Sequence, residues 1–184
     1  MDIGANIGDT AIYFALNGAA KVTAFEPYPY SFELAKANVA SNGLSGAIEL
    51  HNTAVGEKDS SILLGQGESF GGTELSESSD GKRIEVVSLG SIAKKDGLDG
   101  ALLKMDCEGS EYGIILSSGD DVLCRFSAII LEYHYGYLNL KARLEAAGFK
   151  VSILKRPIYR LHSGWKQPHA RTGILLATRF PLQP

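Results

Sequence analysis

The stretch Met1-Asp2-Ile3-Gly4-Ala5-Asn6-Ile7-Gly8-Asp9, followed further on by the apolar run Val22-Thr23-Ala24-Phe25 and then Glu26, decides the fold. It reads as the end of a strand, a glycine turn that opens a helix, and a second strand tipped by an acid. Gly4 and Gly8 carry no Cβ, so the turn tolerates left-handed dihedrals and brings backbone close to a small ligand. An acid about 20 residues beyond such a turn accepts hydrogen bonds from a ribose diol. The pattern predicts a nucleoside-containing cofactor.

What the turn lacks narrows that cofactor. A dinucleotide turn is G-x-G-x-x-G, its second glycine admitting the pyrophosphate and its third letting the helix pack closely. Asn6 stands where the second glycine would be, and Asp9 follows Gly8. A carboxylate beside a pyrophosphate is repulsive. S-adenosyl-L-methionine has no phosphate but carries a sulfonium and an ammonium, which suit Asp2, Asn6 and Asp9. On its own, G-x-N-x-G is equally compatible with a plain tight turn in an α/β domain.

Beyond the turn, apolar runs alternate with helical periodicities nearly to the C-terminus, which predicts a mostly parallel sheet covered by helices on both faces. Helices are expected at 10–17, closed by Gly18, at 31–42, closed by Gly43, and at 139–147, with another running to about Ser117. Pro27 and Pro29 are expected to stop the second strand. Further strands are expected at 48–51, 101–105 and 128–131, with a final antiparallel pair at 150–154 and 173–177. The runs 61–64 and 84–87 read as a hairpin. Between them, 65–83 is longer than most connections, and it is expected to form a lid containing Phe70, Gly71 and Gly72.

At 184 residues and 45% hydrophobic content, one domain spanning 1–184 is expected. No apolar stretch reaches transmembrane length, and the start shows no charged-then-apolar leader. Cys107 and Cys124 lack metal-ligand spacing, which fits reduced thiols and a cytoplasmic location. The net charge of -3 hides an asymmetry: 150–184 hold seven Lys/Arg and no Asp/Glu, leaving 11 Lys/Arg against 21 Asp/Glu in the first 149. Such a basic end either compensates an acidic body or faces an anionic substrate.

In open α/β sheets the ligand sits outside the carboxyl ends of the strands. Those ends carry Asp2 and Asn6, then Glu26, Asn52, Asp106 with Glu108, and Glu132 with His134. Singly, each has a plain reading as a helix cap or turn residue. Together, five ends bearing acceptors point to one shared site.

Asp2-Ile3-Gly4-Ala5-Asn6-Ile7-Gly8, Phe25-Glu26-Pro27, Asn38, Asn42-Gly43, Asn52-Thr53-Ala54-Val55-Gly56, Leu103-Lys104-Met105-Asp106-Cys107-Glu108-Gly109-Ser110-Glu111 and Glu132-Tyr133-His134 resemble, in order and spacing, the FkbM family of S-adenosylmethionine-dependent methyltransferases. The resemblance implies an α/β class I methyltransferase (Rossmann-like) sandwich. Its sheet would have seven strands, mostly parallel, with a final antiparallel strand. It also implies methyl transfer to a hydroxyl of a sugar or secondary metabolite. By the same resemblance, Asp2, Gly4, Asn6 and Gly8 surround the methionine end, and Glu26, followed by Pro27, holds the ribose. Asn52, Thr53 and Ala54 lie beside the adenine, and Asp106 lies near the sulfonium and the acceptor. The stretch around Gly90 and Ser91 departs from relatives, where it is commonly acidic. Only Met1, Asp2 and Ile3 precede the turn, so the first strand is expected to be truncated, leaving its neighbours short of backbone partners.

An alcohol is a poor nucleophile until its proton has a destination. His134 or Glu132 is the expected base, with Asp106 orienting cofactor or substrate; Glu108 is a further possible acceptor. No metal is required, although carboxylates near His134 also suit Mg²⁺. The expected partner is a small hydroxylated acceptor, glycans included, with no membrane. RNA or another nitrogen acceptor stays open as a second reading, because basic residues with Tyr159, Trp165 and His169 suit single strands. A cofactor-binding domain without activity is the third.

Overall fold

The computed structural model describes residues 1–64, 81–95, 98–155 and 172–179. Its first half runs β1 (Asp2–Ile3), α1 (Asp9–Leu16), β2 (Val22–Phe25), α2 (Pro29–Ser41), β3 (Ile48–His51), β4 (Ala54–Gly56), β5 (Ser60–Leu64) and β6 (Lys82–Ser88). Its second half runs α3 (Leu89–Lys95), β7 (Ala101–Met105), α4 (Glu111–Ser117), α5 (Asp120–Leu123), β8 (Phe126–Tyr133), α6 (Leu138–Ala146), β9 (Lys150–Lys155) and β10 (Gly173–Thr178).

Seven strands form one sheet in the order β3-β2-β1-β7-β8-β10-β9. The run from β3 to β8 is parallel throughout. Only β10 opposes its neighbours, β8 and β9. β1 is two residues long, yet it sits between β2 and β7, with Asp2 level with both Ala24 and Lys104. This is the α/β class I methyltransferase architecture the motifs imply, short first strand included.

Alternation along the strands sends successive side chains to opposite faces. Ile3, Phe25, Leu103, Met105, Ile129 and Leu131 share one core with Ile114 and Ile115 of α4 and Leu140 and Leu144 of α6. Val22, Ala24 and Ile48 face the other way and pack with Ala11 of α1 and Val39 of α2. A chain buried on both faces has little room for polar side chains, which is why β7 and β8 read as near-continuous apolar runs. Asp2 and Lys104 are the exception at the centre, and both face the side of Ala24.

The hairpin of β5 and β6 forms with Ser60 opposite Val86 and Leu64 opposite Lys82. It builds a second sheet, β4-β6-β5, because the three-residue strand β4 pairs in parallel with β6. Its core is Ala54, Leu64, Ile84 and Val86. β4 is too short to show any period in sequence.

Pro29 opens α2 instead of stopping β2, since a proline in the first helical turn has φ preset and needs no backbone N–H there. β8 extends past both expected ends, because Ser127 and Glu132 fall on alternate positions between buried ones. Residues 65–80, with Phe70, Gly71 and Gly72 of the expected lid, lie outside the described residues, as do Tyr159, Trp165 and His169. Among the described residues, no helix is long and apolar enough to cross a membrane.

Leu103 is fully buried at the centre of the larger core. Leu103→Ala should lower the unfolding free energy by about 2–5 kcal/mol, read by urea denaturation.

Candidate functional site

The glycine turn is held from three sides. Gly4 and Ala5 both donate their N–H to the Phe25 carbonyl, at 3.1 and 3.0 Å, which seats the turn on the tip of β2. Gly4, Asn6 and Gly8 all take positive φ, at 75°, 48° and 85°. Glycine adopts that region freely and asparagine tolerates it. Gly8 caps α1 and abuts α2, where a Cβ would lie 3.3 Å from that of Ala35. Asn38 of α2 donates its side-chain N–H to the Ile7 carbonyl at 2.8 Å.

Glu26 lies beside this turn and is buried. Its Oε2 accepts the Asn6 N–H at 2.8 Å and its Oε1 accepts the Tyr28 N–H at 2.9 Å. Burial raises its pKa, and these two N–H groups pull it back. Each oxygen keeps a further lone pair for a ligand hydroxyl. Asn52 donates to the carbonyls of Glu26 and Pro27, at 3.0 and 2.9 Å, so it braces the backbone carrying the acid.

Asp2 is completely buried. Lys104 Nζ lies 3.0 Å from its Oδ1 and also donates to the Gly4 carbonyl at 3.0 Å. Among the described residues no donor reaches Asp2 Oδ2. Burial raises the Asp2 pKa and Lys104 opposes the rise. An orphaned buried carboxylate oxygen under a glycine turn matches a cationic ligand group.

The second half of the site follows β7. Asp106 donates its N–H to the Ile3 carbonyl at 3.0 Å, continuing the β1 ladder. Glu108 and Gly109 take positive φ, at 52° and 104°. Glutamate has no preference for that region, so the surroundings must hold it. Glu111 does so: fully buried, it accepts the N–H groups of Cys107 and Gly109, both at 2.8 Å. The same carboxylate lies 3.4 Å from His134 Nδ1, while His134 Nε2 lies 3.0 Å from Glu108 Oε2.

His134 therefore sits between two carboxylates. Its pKa rises to about 8, chiefly through the Glu111 carboxylate beside Nδ1 against the opposing effect of burial, with the charges of Glu108 and Asp106 adding to the rise. For Glu111, burial works upward, but His134 and the backbone donors outweigh it and its pKa is lowered. Donor atoms of Asp106, Glu108 and His134 all lie within 4.8 Å of one another, a separation that also suits a divalent cation.

Residues 2–151 match the methyltransferase FkbM domain, which covers most of the chain. The chain belongs to the FkbM family of S-adenosylmethionine-dependent methyltransferases. Among solved structures, methyltransferase FkbM from Methylobacillus flagellatus KT superposes with a TM-score of 0.59 at 18% identity, over 96% of this chain and 42% of that one. The N-terminal domain of human METTL16, in complex with SAH, gives 0.54 at 15% identity over 97% of this chain and 60% of that one. Precorrin-6y C5,15-methyltransferase from Geobacter metallireducens GS-15 gives 0.51 at 16% identity, over 97% and 78% respectively. At such identities the likeness is one of fold. The chain spans less than half the length of the Methylobacillus FkbM protein. No curated protein matches the sequence.

Of the residues singled out in sequence, Asp2, Gly4, Asn6, Gly8, Glu26, Pro27 and Asn52 gather around the turn through the contacts above. Thr53 lines a small cavity of about 100 Å³ with Phe25, His51 and Val87. The Ala54 side chain packs inside the small sheet. Asp106 and His134 come together, whereas Glu132 lies within β8 opposite Ile174 and outside their cluster. Ser91, in the stretch that departs from relatives, donates its hydroxyl to Asp59 at 2.5 Å at the start of α3.

Sequence reasoning did not single out Lys104 or assign a task to Glu111. Lys104 had a signal, being a lone cation inside an otherwise apolar central strand. Glu111 had only its place in the family motif.

Removing Lys104 would strand the buried Asp2 carboxylate. Lys104→Met should cost about 3–5 kcal/mol in urea unfolding. Combining it with Asp2→Asn should recover most of that loss.

Proposed function

We propose that this FkbM-family chain binds S-adenosyl-L-methionine and methylates a hydroxyl of a small acceptor, a sugar or secondary metabolite. One observation carries the choice of an oxygen acceptor: an imidazole, His134, backed by the buried Glu111 and clustered with Asp106. A hydroxyl needs such a proton acceptor, because its oxygen is a weak nucleophile and must shed its proton as the new O–C bond forms.

The residues present fit the cofactor. Asp2, with its orphaned oxygen, and the turn of Gly4, Asn6 and Gly8 would hold the methionine end. Glu26, anchored by two N–H groups, would take the ribose hydroxyls, with Pro27 beside it. Asn52, Thr53 and the backbone of Ala54 would border the adenine. S-adenosyl-L-methionine, when bound, supplies an electrophilic methyl on sulfur.

The chain's own residues then have two tasks. Asp106 orients the acceptor, since in-line displacement depends above all on placing oxygen against the methyl carbon. His134, when neutral, takes the hydroxyl proton, and Glu108 beside Nε2 and Glu111 beside Nδ1 stabilise the imidazolium that forms.

A base of pKa about 8 is mostly protonated at neutral pH, so activity must increase as pH rises. We expect kcat/KM to climb with pH, bend near 8 and level off. His134→Gln should remove that limb and lower kcat by roughly 10²–10⁴-fold. An unchanged rate in that variant removes His134 from the chemistry. The acceptor is tested with ¹³C-methyl-labelled S-adenosylmethionine and a panel of hydroxylated compounds and RNAs. A product carbon shift in the ether range supports the proposal, and one in the amine range overturns it.

A further inference from the structure

We propose that Tyr135 and the recess beside it form the acceptor subsite, and that its ligand is an uncharged sugar ring lying flat on the exposed face of the tyrosine. This rests on the hydroxyl-methylating reading above and names the part of the site that would hold the acceptor.

Tyr135 follows His134 directly and is 59% exposed. An exposed tyrosine is ordinarily free to rotate, but this one is boxed in. A Cβ on Gly109 would lie 2.9 Å from its Cε2 and 3.4 Å from its Oη, so the ring edge occupies the space that any other residue at 109 would fill. Tyr112 supports it from another side, with ring centroids 5.9 Å apart and planes tilted by 41°. Tyr112 Oη also accepts the Tyr135 N–H at 2.8 Å and donates to the Gly136 carbonyl at 2.5 Å, which pins the backbone under the ring. Burial raises the Tyr112 pKa, so the phenol keeps its proton for that donation.

The ring is thus pre-oriented, and a ligand using it does not have to order it. Beside it lies a cavity of about 180 Å³ lined by Tyr112, Tyr135, Gly136, Leu138 and Asn139. Leu138 is half exposed and apolar, while Asn139 brings an amide that both donates and accepts. None of these lining residues is charged.

The position ties this recess to the chemistry. Gly109, against which Tyr135 rests, follows Glu108, and Glu108 Oε2 is 3.0 Å from His134 Nε2. Tyr135 is therefore tied to the loop that carries the cluster at both ends, through the chain to His134 and through its ring to Gly109. Three carboxylates, counting Glu111, face one imidazole there, so an anionic acceptor would be repelled. A flat hydrocarbon would fill the recess but make no use of the Asn139 amide. A pyranose offers an apolar C–H face to the ring, hydroxyls to the amide, and one hydroxyl to the proton acceptor.

The test uses methyl glycosides of glucose, galactose, mannose and rhamnose. Each is titrated into ¹³C-tyrosine-labelled protein, with and without S-adenosylhomocysteine, and followed by saturation-transfer NMR. At least one glycoside should shift the Tyr135 ring signals and receive saturation on one C–H face. Tyr135→Ala should weaken that binding roughly tenfold, whereas Tyr135→Phe stays within about twofold. Asn139→Ala should weaken it too, and calorimetric affinity for S-adenosylhomocysteine should be unchanged in all three variants. The subsite is overturned if no glycoside moves Tyr135, if binding survives Tyr135→Ala, or if cyclohexanol or catechol shifts the ring as strongly. Loss of S-adenosylhomocysteine binding by the unaltered chain would instead overturn the methyltransferase reading, leaving the glycoside titration to stand alone.

Discussion

Gly4 packs so tightly against the Asp106 carbonyl that an added Cβ would come within 1.9 Å of the oxygen. β1 and β7 are parallel neighbours, so they leave the sheet side by side and their loops compete for the same volume. Only a residue with no side chain lets both loops stay. That contact makes the glycine turn and the acidic loop one object, and it fixes where a ligand held by the first sits relative to groups on the second. The Ile3 to Asp106 hydrogen bond repeats the same link through the backbone.

Charge is arranged in two layers around that contact. Beneath it, Lys104 neutralises Asp2 and holds the Gly4 carbonyl, so a cation and an anion share the centre of a sheet that otherwise excludes both. Above it, Glu108 and Glu111 flank His134. The lower pair maintains the fold. The upper group favours the protonated ring, because two acids flank one imidazole. Glu111 belongs to both tasks: it caps the loop that forces Glu108 into left-handed backbone, and it meets the ring nitrogen of His134. A substitution there would disturb geometry and protonation together.

Much of this was legible in the sequence for definite reasons. The strands β2, β3 and β7 match their expected limits because β2 and β7 are short, largely apolar runs closed by an acid, Glu26 and Asp106, and β3 is a short alternating run closed by Asn52. Gly4, Gly8 and Glu26 announced the turn through spacing alone. What escaped needed a third dimension. β4 has three residues, and only β6, some thirty positions later, makes it a strand. Pro29 carries the same local signal whether it stops a strand or starts a helix. Tyr135 and Gly109 are far apart in sequence and acquire meaning only when the ring is seen resting on the glycine. Family resemblance supplied Glu111 as a letter in a motif, and the structure supplied its hydrogen bonds.

The placement of β10 bears on how the molecule is assembled. Because β10 lies between β8 and β9, the strand made earlier waits at the edge without a neighbour until the later one slides in beside it. Among the described residues, β9 makes no ladder with any strand except β10. Up to that moment β8 presents an open edge of near-continuous apolar sequence, just where the candidate chemistry begins. β10 therefore covers an edge that would otherwise be open to pairing with another chain, and it does so with the one strand that runs against the rest of the parallel sheet.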